Sequence, residues 1–130
     1  MYDYERLVAL KPDFTNYIKS LAELKRGFDM FNEALHLYNR ILEINSTKDY
    51  EHLYETYEEI GKTYIVMGKI EPAINMYNKA LDDMDIHLSK YATEIKTDKD
   101  NSTTSYLLNS LKSDKAKLLD YIDYLKNNPQ

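Results

Sequence analysis

The chain has no cysteine, which excludes disulfides, thiolate metal sites and a cysteine nucleophile, and agrees with an expected cytoplasmic location. Glycine and proline are scarce, three of each in 130 residues. No stretch of useful length alternates apolar with polar residues, so strands are not expected and an all-α fold is. No apolar run approaches the roughly 20 residues needed to cross a bilayer. The opening MYDYERLVALKP lacks the basic segment and apolar core of a secretory signal, and no membrane association is expected. A basic cluster is missing as well. With a net charge of −5, the chain lacks the electrostatic footprint of a nucleic-acid binder, and proteins or peptides are the expected partners.

What the chain does have is helical periodicity. Its length suits one domain, 1–130, able to bury about two thirds of its unfolded surface without staples. Residues 57–81, YEEIGKTYIVMGKIEPAINMYNKAL, are the most informative. Tyr57, Ile60, Tyr64 and Met67 recur at three and four and share one helix stripe. Gly61 beside them costs roughly 1 kcal/mol against alanine in a helix interior, so close approach of a second backbone is expected to compensate. Gly68 supplies a break. A second helix is expected from about Glu71, with Pro72 in its first turn. Its stripe is Ile74, Tyr77 and Leu81, with Ala73 and Ala80 leaving room for neighbours, so the two helices should pack antiparallel.

Upstream, residues 1–11 predict a short helix ending before Pro12, with Tyr4, Leu7, Val8 and Leu10 as its apolar side. Asp13 is the expected N-cap of the next helix. Phe14, Tyr17, Leu21, Leu24, Phe28, Phe31, Leu35, Tyr38 and Leu42 then follow steps of three and four. Two arrangements satisfy this stripe: a turn near 28–30 making a helix pair, or one helix over 13–44, about 48 Å long. The turn is favoured because Ala34 and Ala73 hold equivalent places, 39 residues apart, in two similar segments, with Tyr38 and Tyr77 four residues on. Ser46 and Asp49 resemble a capping box, which places the third helix start at 47–50. The fourth helix continues through Met84, Leu88, Tyr91 and Ile95. TDKDNSTT, 97–104, is expected as a polar connector. A last helix carries Leu108, Leu111, Leu118, Ile122 and Leu125 inward, with Lys115 in the stripe and Asn127-Asn128-Pro129 as its stop. These last two helices, each about 24 residues, predict a long C-terminal hairpin whose final helix caps the fold; a dimer seam is the alternative use of its leucines.

Tyr57, Ile60-Gly61, Tyr64, Ala73, Tyr77 and Ala80 together resemble the tetratricopeptide repeat family. One repeat, 50–85, matches well; a weaker one, 15–48, matches in its second helix; 86–130 holds the extension, connector and capping helix. Tyr57 stands where the family usually has tryptophan, Asp85 and Ser46 replace its closing proline, and the spacing exceeds the usual 34 residues. The resemblance implies antiparallel helix pairs of an α-solenoid fragment, with an inner groove that holds a peptide or extended protein segment.

That implied groove is expected to carry Glu55, Glu58, Glu59 and Lys62, then Ile65 and Val66, and in the weaker repeat Asn16, Lys19, Ser20 and Glu23. Tyr50 and Tyr54 are added as partner-contact candidates. Five carboxylates and no lysine or arginine lie between Asp49 and Ile60, so a basic or amphipathic partner is expected. The Lys and Asn clamp with which some family members grip acidic chaperone tails is missing. No catalytic, cofactor-binding or metal-binding residue is expected. Glu33 and His36 form a lone Glu-x-x-His pair, where di-iron bundles need two; His52 is read as tempering Glu51 and Glu55. Of thirteen tyrosines, most should fill helix interfaces. The expected function is a non-catalytic peptide-binding adaptor. The alternatives are a small acidic dimeric chaperone for an exported protein, associating through its C-terminal helices, or a self-assembling helical structural protein.

Overall fold

The computed structural model describes residues 1–48, 52–97 and 102–128. The described residues form the helices α1 (Tyr2–Leu10), α2 (Thr15–Gly27), α3 (Phe31–Ser46), α4 (Tyr54–Val66), α5 (Ile70–Thr97) and α6 (Ser102–Asn127). Each packs on its neighbours in the chain. The fold is all-α, built from adjacent helix pairs.

The chain turns after Gly27 and does not continue as one rod. At this turn Met30 N–H reaches Lys25 O (2.8 Å) and Asp29 N–H reaches Arg26 O (3.0 Å). At the next, Lys69 N–H reaches Tyr64 O (2.8 Å) and Gly68 N–H reaches Ile65 O (2.9 Å). Both are Schellman closures, which need a left-handed residue after the helix end. Gly68 takes it at φ +78°, and Asp29, a residue type that tolerates this region, at φ +61°. Gly27 ends α2. The two hairpins share one register: Tyr54 opens α4 39 residues after Thr15 opens α2, and Ile70 opens α5 39 residues after Phe31 opens α3. Along that offset Ala22 matches Gly61, Ala34 matches Ala73 and Tyr38 matches Tyr77, all buried.

Two apolar clusters result. The first joins Val8, Ile18, Leu21, Ala22, Ala34, Tyr38, Ile41 and Ile60. In the second, Ala73, Tyr77, Ala80 and Met84 of α5 meet Leu111, Leu118, Ile122 and Leu125 of α6. Tyr64 packs against both, so α4 is the element through which they communicate. Each large side chain fully buried here contributes about 1.5–3 kcal/mol. Gly61 admits the ring of Tyr77, not a backbone as expected: a Cβ there would lie 2.7 Å from Cε1, 2.8 Å from Cζ and 3.0 Å from Cδ1.

Several local expectations are corrected. Leu10 is 74% exposed and leaves the apolar side of α1 to Val8, Leu7 and Tyr4. Phe14, not Asp13, holds the N-cap position of α2, with no side-chain cap. Phe14 and Phe28 of the proposed stripe are exposed; the buried face of α2 is Ile18, Leu21, Ala22 and Lys25. Lys25 keeps its charge there because Nζ pairs with Glu5 and Glu33, each at 3.2 Å, fastening α1 and α3 to α2. Burial disfavours that charge, but both carboxylates outweigh it and raise its pKa.

No capping box opens α4. Ser46 ends α3, its hydroxyl donating to Glu43 O, and Asp49 lies outside the described residues. The cap comes from α5 instead: Oδ2 of buried Asp83 accepts from the N–H groups of Leu53 (2.8 Å) and Tyr54 (2.9 Å). Asp83 thereby satisfies two of the donors a helix start leaves free. α5 and α6 run 28 and 26 residues, longer than expected. They absorb Thr97 and Ser102–Thr104 of the predicted connector, whose remaining residues lie outside the described ones. Lys115 turns its place in the α6 stripe into an ion pair with Asp85 of α5.

Candidate binding groove

Where α4 meets the first hairpin, a groove of about 380 Å³ opens. Thr15, Asn16 and Lys19 of α2 form one wall, Glu55, Thr56, Glu58 and Glu59 of α4 the other, and Tyr38, Ile41 and Asn45 of α3 with His52 the floor. Five residues singled out from sequence therefore meet here: Asn16, Lys19, Glu55, Glu58 and Glu59. The others are elsewhere. Glu23, Lys62 and Val66 are exposed outside the groove. Ile65 and Tyr54 pack into the second cluster, and burial pushes the Tyr54 hydroxyl up to about 12. Tyr50 lies outside the described residues.

The acidic wall is not uniform. Glu59 is committed to the fold: its carboxylate accepts from Arg26 of α2 at 2.9 Å and from Lys62 at 3.2 Å, while Arg26 also reaches Glu59 O and Thr63. Burial would raise the Glu59 pKa, but these cations lower it on balance. Sequence counting missed Arg26 because it arrives from a helix 33 residues away. Glu58 is half-buried, and among the described residues neither it nor Glu55 has an ion-pair partner. Its carboxyl is pushed up, chiefly by burial and further by Asp114, Glu55 and Glu59, against the pull of Lys62. Lys19 on the facing wall is likewise without an ion pair among the described residues.

The floor holds what periodicity could not reveal. Tyr38 Oη, Asn45 Oδ1 and His52 Nδ1 are shielded from solvent and have no hydrogen-bond partner among the described residues. Tyr38 is 1% and Asn45 9% exposed. Buried polar atoms almost always find partners, and one that does not costs about 1–3 kcal/mol. Three such atoms belong to residues that line one cavity. Burial raises the Tyr38 hydroxyl to about 12, with Arg26 opposing, so it is neutral and able both to donate and to accept. The His52 ring packs on His87 (4.5 Å) and Tyr54 (5.0 Å), and Glu51, the other residue it was read with, lies outside the described residues. His87 Nε2 stands 3.4 Å from Asp83 Oδ2. Burial lowers the His87 pKa, Asp83 opposes, and His52 and Lys90 add to the lowering.

A second hollow of about 500 Å³ lies between α1, α2 and α3, lined by Val8, Leu21, Leu37 and His36 among others. Three of its charges, Lys25, Glu5 and Glu33, are paired with one another. Glu33 serves Lys25 and His36 is exposed, so the Glu-x-x-His pair is not assembled into a site. Among the described residues no group of three or more histidines and carboxylates is placed to hold a metal, and no helix is long and apolar enough to cross a membrane. No protein-family model matches the chain, and no curated protein matches it in sequence.

Proposed function

We propose that this chain is a non-catalytic adaptor of tetratricopeptide type, whose groove at the junction of its two hairpins holds an extended segment of a basic or amphipathic protein. Two helix pairs in one 39-residue register, with small residues at matching contacts, support the repeat reading. The observation that carries the binding reading is the division of labour among the charged groups. Lys25, Arg26 and Glu59 are consumed by the fold, whereas Lys19, Glu55 and Glu58 line an open groove with no ion pair among the described residues. A solvated face needs no such groove.

The test is affinity capture from the source cell with the wild-type chain and with a Glu55→Lys, Glu58→Lys variant. The expected result is a partner retained by the first and lost by the second, with unchanged helicity. An identical set of captured proteins would refute groove binding. A second reading, self-association as in a dimeric chaperone or structural protein, rests on the exposed apolar side chains that α6 carries, Tyr106, Leu107, Leu119 and Tyr124. A second copy is one way to cover such groups. Sedimentation equilibrium decides it: a monomer at high micromolar concentration removes this reading and leaves the adaptor.

A further inference from the structure

We infer that the start of α4 is a proton-operated catch: the paired rings of His52 and His87, together with the Asp83 carboxylate, hold residues 52–54 on α5 at neutral pH and release them in acid. The catch belongs to the fold, whatever the groove holds. Two amides at the start of α4 hang on one carboxylate oxygen. Oδ2 of Asp83 accepts from Leu53 and Tyr54 N–H, and His87 Nε2 stands 3.4 Å from the same oxygen. Asp83 and His87 are both buried, and the His52 ring meets His87 edge to face at 4.5 Å. His52 itself precedes the N-cap residue of α4 and is half-buried. Among the described residues, the groups facing this ring pair are Asp83 and Lys90 of α5 and the Tyr54 ring of α4, itself under the influence of Glu55, Tyr91 and Asp114 of α6. One carboxylate thus serves two imidazoles and two backbone donors.

Protons disturb that arrangement at both rings, because imidazolium donates from each of its nitrogens. On His87, a positive charge draws Asp83 Oδ2 into a charge-assisted bond shorter than the present 3.4 Å, away from the two amides it caps. On His52, Nδ1 is shielded from solvent and has no acceptor among the described residues, so a charged ring has to move to find one. His87 is built into α5 and stays; His52 lies ahead of a helix and can go. Burial, opposed by Asp83 and seconded by His52 and Lys90, holds His87 below its ordinary 6.5 in the closed form. Release returns the rings to water, so the released form binds protons more readily. The catch is therefore closed above about pH 6.5 and opens as pH falls below it. His52 and Glu55 also line the groove, whose α4 end changes shape with the catch.

The experiment is amide hydrogen exchange by NMR on the full chain between pH 7.5 and 5.5, read as protection factors. A single proton taken only on release, by an imidazole of ordinary value, raises the released fraction about ten-fold over this range. Protection at Leu53, Tyr54 and Tyr57 should fall by about that factor, while Leu21 and Ala22 in α2 keep theirs. His52→Gln, which takes no proton, should cut the fall to about three-fold or less, and His36→Gln, exposed on α3, should leave it whole. Constant protection at Leu53 and Tyr54, a fall shared equally by α2, or an unaltered fall in His52→Gln would each overturn the catch. The wild-type measurement decides even where a variant folds poorly. No binding partner enters it, so its failure would leave the adaptor reading to its own test.

Discussion

Replacing Gly61 by alanine sets helix propensity against packing. In an open helix the change would stabilise by roughly 1 kcal/mol. Here the new methyl would sit 2.7–3.0 Å from three ring atoms of Tyr77, well inside van der Waals contact. The ring has little room to retreat: Tyr77 is 2% exposed, and Tyr121 stands 5.7 Å from it. Overpacking of this kind costs about 1–3 kcal/mol; taking its upper half, the net expectation is a loss of about 1–2 kcal/mol. The other glycines serve as internal controls. Nothing lies within 4 Å of a Cβ at Gly27 or Gly68. Gly27→Ala should stabilise by about 0.5–1 kcal/mol. Gly68→Ala should cost about 1–2 kcal/mol from its positive φ alone. Urea unfolding followed by circular dichroism, with a constant m-value, resolves differences of this size. In a Tyr77→Leu background, which lacks the ring atoms, Gly61→Ala should lose its packing penalty and show the propensity gain alone, a coupling of about 2–3 kcal/mol. Stabilisation by Gly61→Ala in the wild-type background would refute the close-contact reasoning.

Asp83→Ala should destabilise by about 1–3 kcal/mol, because two N–H groups at the start of α4 lose their acceptor; hydrogen exchange should show fraying of α4 before α2, and equal protection would argue against the cross-helix cap. The folded state holds His87 below its ordinary value of 6.5, so unfolding in acid takes up a proton. Its contribution is full above about pH 6.5 and falls as pH drops below that. A His87→Phe chain should show a shallower acid-side loss in urea midpoints, and an unchanged slope would remove His87 as a cause. Lys25→Ala should release α1, whose only buried residue is Val8, so that its amides exchange freely while α4 to α6 keep their protection; retained protection in α1 would show that Glu5 does not anchor it.

How much was legible depends on whether a residue's role is written in its own helix. The turn at Gly68, the packing of Ala73 and Ala80, and the inward leucines of α6 follow from spacing and turn chemistry. Misreading the α2 face had a physical origin: Phe14 and Phe28 are large and apolar, yet they lie beyond the ends of the helix. The true face contains Ala22 and Lys25, one small and one charged. Ala22 was in reach, since the 39-residue offset carries Gly61 onto it. Asp83 and His87 occupy inward positions of α5, but a hydrophobic pattern passes over polar residues whatever their partners. In the groove, the acidic wall could be read from α4 alone. The pairing of Glu59 with Arg26 and the unsatisfied floor come from other parts of the chain, and periodicity tells which way a side chain points, not what awaits it.

The carboxylate that starts α4 belongs to a residue 30 positions downstream of Leu53. During synthesis α4 emerges from the ribosome before its cap exists, so the second hairpin gains its stability in one step, when α5 folds back. Ahead of the helix, Leu53 at the N-cap gives it no side-chain bond. Insertions there cost only loop closure, about 0.6 kcal/mol for each doubling in length, and the distance between hairpins is free to drift over evolution without loosening the helix that follows.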